Sequence, residues 1–161
     1  MSEPSATSFL KLLERSGIVA DEDLTLQLDK LSKIAAGRKV RTSELIEHLV
    51  ESGLITKWHT DKLLAGKYKG FFLGKYKLLR HLGSGGMSSV YLAKHKISQQ
   101  LRAIKVLPRK KVTDKSYLDR FYLEARAAAS LNHPNVVRIY DICNEKNTHY
   151  MVMEFAQGND L

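Results

Sequence analysis

One lysine constrains the fold of this chain more than any other residue. In RAIKVL (102–107), Ala103, Lys105 and Leu107 share one face of a strand and Ile104 and Val106 share the other. Lys105 therefore interrupts an apolar run, and a lysine so placed either snorkels to water or is held in a polar site. The segment DKSYLDRFYLEARAAASLNHPN (114–135) reads as a helix to about Leu131, because Pro134 forbids continuation. Tyr117, Phe121, Glu124, Ala128 and Leu131 fall on one helical face, which puts a carboxylate, Glu124, among residues that pack inward. An unpaired buried charge is costly, so an inward Glu124 calls for a cation. Lys105 and Glu124 satisfy each other if the strand and the helix pack together. The plainer reading puts Glu124 at the edge of its face, in water.

The surrounding segments supply a sheet. KYKLLRHLG (75–83), SSVYLAKH (88–95), LRAIKVLP (101–108), VVRIYDIC (136–143) and THYMVMEFA (148–156) read as five strands, the last two joined by the polar turn NEKN. The order β-β-β-α-β-β predicts an antiparallel five-stranded sheet with one helix on it. Between the first two strands lies LGSGGMSSVYLA (82–93), with three glycines and three serines. Glycines permit close approach and unusual φ values, so backbone N–H groups there can turn toward an anion. Alone, such a turn is only a hairpin. With Lys105 beneath it and Glu124 to aim the lysine, it predicts a phosphate site, and Leu82 and Val90 are placed to sandwich a flat base.

Residues 1–66 have a different character. FLKLLERSG, DEDLTLQLDKLSKIAAG, TSELIEHLVESG and TKWHTDKLLAG read as helices ending at Gly17, Gly37, Gly53 and Gly66, with Thr42 or Ser43 and then Thr56 as N-caps. LLERSGIV (12–19) and HLVESGLI (48–55) align at an offset of 36, and Leu28 matches Leu64 at the same offset. The repeat predicts two helical hairpins that stack and share one core. His48 and His59 are isolated from other metal-ligating residues, and Trp58 reads as a core or interface residue. A docking or sensing module and a plain scaffold extension fit this half equally well.

Charge divides the chain near the same point. Residues 1–66 carry 9 Lys/Arg against 10 Asp/Glu, and residues 67–161 carry 17 against 7. A net of +10 in the second part suits phosphates or another polyanion, but the basic residues, including RKK at 109–111, carry no nucleic-acid recognition motif. The single cysteine, Cys143, excludes an internal disulfide and fits a reducing compartment. Its first residues do not read as a signal peptide, and no apolar run is long enough to span a bilayer. A soluble, cytoplasmic chain is expected, leaving open a membrane anchor beyond residue 161.

Taken together, LGSGGMSSVYLAKH, RAIKVL, RFYLEARAAASLNHPNVVRIYD and HYMVMEFAQGNDL make residues 76–161 resemble the N-terminal lobe of a bacterial eukaryotic-like serine/threonine protein kinase. The resemblance implies an α+β chain: a helical region (1–66), a linker (67–75) and a kinase N-lobe (76–161) whose helix corresponds to αC. It implies that Gly83, Ser84, Gly85, Gly86, Met87 and Ser88 cover the phosphates of ATP, that Lys105 contacts the α- and β-phosphates, and that Glu124 is its helix partner. It further implies that Leu82, Val90 and Ala103 line the adenine pocket, that Met153 is the gatekeeper, that Glu154 and Ala156 bond the adenine edge through their backbones, and that Asp160 reaches the ribose. Ser88 departs from the third glycine of the family's loop, which implies altered loop mobility. The 161 residues contain neither H-R-D nor D-F-G, so the catalytic base and the Mg²⁺ ligands are expected from a large lobe. The junction LLAGKYKGFFLGKYKLLRHLG also resembles that between a helical region and the kinase domain in some bacterial kinases. The implied function is ATP-dependent phosphoryl transfer to protein serine and threonine. The alternative is a non-catalytic module that binds nucleotide or docks on a partner.

Overall fold

Short apolar helices punctuated by Ser-Gly turns build the first of two units, Met1–Phe71. The computed structural model describes residues 4–85, 88–108 and 113–156. Four helices lie in this unit: α1 (Ala6–Ser16), α2 (Asp21–Ala35), α3 (Thr42–Glu51) and α4 (Lys57–Leu64). The repeat is physical at its turns. Ser16 and Ser52 each donate their hydroxyl to the carbonyl three residues earlier, Leu13 O and Leu49 O. Gly17 and Gly53 then take positive φ values of 71° and 83°, the left-handed turn that glycine ends a helix with most easily. Leu13 and Leu49 are both fully buried. Beyond the turns the echo fades. Leu64 is exposed and its neighbour Leu63 is buried, so Leu28 and Leu64 are not equivalent; Leu24 and Thr60 are the buried match at that offset. Contacts run between the hairpins: α1 lies against α3 and α4, and α2 against α3.

Two capping arrangements differ from each other. Thr56 caps α4 in a capping box whose third residue is His59: Thr56 Oγ1 accepts from His59 N at 3.1 Å, and His59 Nδ1 accepts from Thr56 N at 3.0 Å. A histidine there does the work of the usual glutamate. The N-cap of α3 is Arg41, not Thr42 or Ser43. Thr42 instead sits inside the first turn and donates its hydroxyl to Pro4 O at 2.9 Å, a bond 38 residues away in sequence.

The second unit, Phe72–Leu161, contains β1 (Phe72–Leu73), β2 (Tyr76–Ser84), β3 (Ser89–His95), β4 (Leu101–Val106), α5 (Lys115–Ala129), β5 (Ile139–Glu145) and β6 (Thr148–Glu154). All pairings are antiparallel, in the order β1-β2-β3-β4-β6-β5. The sheet thus has six strands where five were expected, the sixth being the two-residue β1. On one face Leu78, Ala93, Ile104, Tyr150 and Val152 are all buried. The sheet curls over this face, because Gly74 N donates to Glu145 Oε2 at 2.6 Å and joins the β1–β2 turn to the end of β5. Burial of Tyr150 beside Cys143 raises its hydroxyl pKa well above the usual value. The opposite face carries α5: Phe121 and Ala125 are buried against Leu107 and Met151.

Two outcomes follow for urea unfolding of the whole chain. Phe71 is buried edge-on to Trp58 and His59 in the first unit, whereas Phe72 is half-buried in the second. Phe71→Ala is expected to cost about 3–5 kcal/mol and Phe72→Ala distinctly less. At Gly74, φ is +53° and an added Cβ would lie 2.7 Å from Tyr150 Oη, while at Gly70, φ +87°, it would meet open space. Gly70→Ala should cost only left-handed strain, about 1–2 kcal/mol. Gly74→Ala should exceed it by roughly 1–3 kcal/mol for the collision with Tyr150.

Candidate functional site

The site grows outward from β4, which is hydrogen-bonded on both sides. Gly83 of β2 lies opposite Val90 of β3, Val90 opposite Lys105 of β4, Lys105 opposite Met151 of β6, and Met151 opposite Ile142 of β5. Residues directly opposite one another point to the same face, so this row runs across five strands on the face that carries α5. The next row on the same face is Arg80, Leu92, Ala103, Met153 and Ile139. Ala103 and Met153 are therefore immediate neighbours, one pair along from Lys105.

Lys105 Nζ lies 3.8 Å from Glu124 Oε2, with the two side chains 31% and 52% exposed. The separation is long for a charge-assisted hydrogen bond and short enough for an ion pair. The buried face of α5 is centred on Phe121 and Ala125, with Leu131 exposed, so the face expected from Tyr117 to Leu131 is rotated from the true one. Glu124 stands on the flank of that face. Both readings of it hold in part: it faces Lys105, and it reaches water. A pocket of about 280 Å³ adjoins the pair, walled by Ala128, Val136, Val137, Ile139, Met151 and Met153 with Lys105 and Glu124. Val136 and Val137 lie outside β5 and were read from sequence as its first residues.

Gly83 and Ser84 end β2, and Ser88, Ser89 and Val90 resume the chain on the other side of the turn. Gly86 and Met87 lie outside the described residues. Gly85 N donates to Ser88 O at 2.9 Å, which closes the neck of the hairpin. Neither Gly83 nor Gly85 has a left-handed φ, and a Cβ on either would meet nothing within 4 Å. Unusual φ values therefore do not explain these two glycines, and neither does internal packing. A hydrogen-bonded chain braces the hairpin: His81 Nε2 lies 3.0 Å from Ser84 Oγ, and Ser84 Oγ lies 3.2 Å from Ser89 Oγ. His81 is itself held edge-on by Tyr91. Sequence reading missed this brace, because His81 looks like an ordinary surface residue until β2 and β3 are paired.

Leu82 lies in the irregularity between His81 and Gly83 and is partly exposed. Glu154 N donates to Arg138 O at 2.7 Å, and Arg138 N donates to Glu154 Oε2 at 3.2 Å, so that amide is already committed to the segment leading into β5. Ala156 is exposed just past β6, and Asp160 lies outside the described residues. Among the described residues no three His, Cys, Asp or Glu converge as a metal site, and no helix is long and apolar enough to cross a membrane.

Comparison with known proteins gives this arrangement a family. Residues 76–161 match the protein kinase domain. The chain is 44% identical over 88 residues to serine/threonine-protein kinase PrkC of Bacillus subtilis (strain 168), a match covering 55% of this chain and 14% of PrkC. It is 33% identical over 96 residues to serine/threonine-protein kinase SIK1 of Rattus norvegicus, covering 60% of this chain and 12% of SIK1. Among solved structures it is similar to the kinase domain of PknI of Mycobacterium tuberculosis, with a TM-score of 0.47 and 30% identity over 56% of this chain and 37% of that one. The aligned part thus spans a small fraction of the curated relatives' own length. With more than half of its residues inside the family match, the chain belongs to the protein kinase domain family, and residues 76–161 are the N-lobe part of such a domain, of the bacterial eukaryotic-like serine/threonine type.

Proposed function

We propose that residues 76–161 form the upper wall of an ATP site, and that the protein built on them transfers the γ-phosphoryl group of ATP to serine and threonine hydroxyls of protein substrates. The observation that carries this reading is the approach of Lys105 to Glu124, at 3.8 Å, in the row that begins at Gly83 beneath the glycine hairpin. Phosphoryl transfer of this kind depends on positioning and electrostatic stabilisation. In this reading Lys105 holds the α- and β-phosphates, Glu124 keeps the ammonium aimed at them, and the hairpin from Gly83 to Ser88 offers backbone N–H groups. Val90, Ala103 and Leu82 supply apolar surface to the base, and Met153 limits the depth of its pocket. Glu154 and Ala156 border the base edge, with Asp160 assigned to the ribose. Mg²⁺, which neutralises phosphate charge in this family, would take its ligands from the large lobe.

These residues offer one wall. Phosphates held by Lys105 and N–H groups in open water are screened, and little of the nucleotide is buried. The 161-residue chain is therefore expected to bind ATP with a Kd of about 1 mM or weaker, and to transfer no phosphate to protein. An NMR titration with ATP and Mg²⁺ should shift the amides of residues 83–90 and Lys105, and Lys105→Met should abolish the saturating component. Absence of shifts at those residues would overturn the site. Micromolar affinity, or label transferred from γ-labelled ATP, would show that a second wall is present and that the one-wall reading is wrong.

A further inference from the structure

The helix that carries Glu124 is held by a second polar contact. Tyr122 Oη lies 2.7 Å from His149 Nδ1, and the two rings meet edge-on with centroids 5.6 Å apart. His149 is a fixed anchor. It sits in β6 opposite Asn144, is 7% exposed, and its carbonyl accepts from Leu107 N at 2.9 Å. Burial raises the Tyr122 hydroxyl pKa, so the phenol keeps its proton, and the tautomer of His149 sets which partner donates.

Rotation is what this bond controls. At about 100° per residue, Tyr122 and Glu124 lie on opposite flanks of the face that Phe121 and Ala125 bury. The sheet surface under that face includes Met151 and Met153, side chains that repack readily. Apolar contacts of this kind hold α5 down without fixing its angle. A turn of about 20° moves a carboxylate some 6 Å from the helix axis by roughly 2 Å. Starting from 3.8 Å, that is enough to dissolve the pair with Lys105.

We propose that Tyr122, bonded to His149, is a positioning residue that sets the rotation of α5 and so keeps Glu124 on Lys105. The proposal rests on the reading of Lys105 and Glu124 as the working pair of the site. Neither Tyr122 nor His149 touches that pair; they act through the helix.

The test uses the whole chain and reads the pair directly. Acylation of Lys105 by a water-soluble acetylating reagent is followed by peptide mass spectrometry, with thermal melts to establish that each variant is folded. Glu124→Gln should raise the Lys105 rate about two- to fivefold, the factor that corresponds to a partly exposed ion pair. Tyr122→Phe should raise it by a similar factor, and the double variant should add nothing further. His149→Gln keeps a hydrogen-bonding partner, donor or acceptor, for the Tyr122 hydroxyl and should preserve the protection of Lys105; His149→Leu should lose it at comparable stability. A folded Tyr122→Phe chain with the native Lys105 rate, or an additive double variant, would overturn the positioning role. A Glu124→Gln chain with the native rate would instead overturn the pair itself, and the proposal with it.

Discussion

Everything in the second unit hangs on the register of β4. Its residues alternate between two environments that are chemically incompatible: Ile104 is fully buried on the concave face, and its neighbour Lys105 lies on the face beside α5. A slip of one residue would exchange them. The ammonium would then enter the surface formed by Leu78, Ala93 and Val152, flanked in register by Tyr91 and Val152. The penalty for such a burial far exceeds what one misplaced apolar side chain costs. Because β3 and β6 pair on either side of β4, fixing its register also places Val90, Gly83, Met151 and Met153.

The ion pair that results is weak, and its weakness is informative. A pair as exposed as Lys105 and Glu124 contributes on the order of 0–1 kcal/mol after screening and side-chain entropy. Burial of Phe121 and Ala125 against Leu107 and Met151 contributes several times more. The helix is therefore docked by apolar packing, and the pair forms because the docked helix presents Glu124 at the right height and angle. It follows that residues setting the angle matter more to the site than the strength of the pair.

What was legible in the sequence was whatever repeats with a short period. The alternation in RAIKVL gave the faces of β4, and the two interrupting charges gave their meeting. The Ser-Gly turns at residues 16–17 and 52–53 were legible because each is a local hydrogen bond followed by a left-handed glycine. Other features depend on partners far away in sequence. Thr42 resembles a cap, but its hydroxyl is claimed by Pro4. β1 is two residues long and has no pattern of its own; only its pairing with Tyr76 and Lys77 makes it a strand. The centre of the α5 face was misplaced because Glu124 and Leu131 were counted as inward, and flank and centre differ by less than one residue's rotation. Gly86, Met87 and Asp160, assigned from the family resemblance, lie outside the described residues.

The charge shift near Gly66 and the glycines that follow read as a linker over 67–75, yet much of that stretch is committed to structure. Tyr68 Oη accepts from Arg15 Nη2 at 2.8 Å, with the guanidinium 4.1 Å from the centre of its ring. Phe71 is buried against Trp58 and His59. Phe72 already pairs with Lys77, and its ring lies under Lys96 Nζ at 4.6 Å. Phe71 thus belongs to the core of the helical unit and Phe72 to the ladder of the sheet. Two residues further on, Gly74 is tied to Glu145 at the far edge of that sheet. The stretch is thus held in two parts, Tyr68 and Phe71 by the helices of the first unit and Phe72 and Gly74 by the sheet of the second.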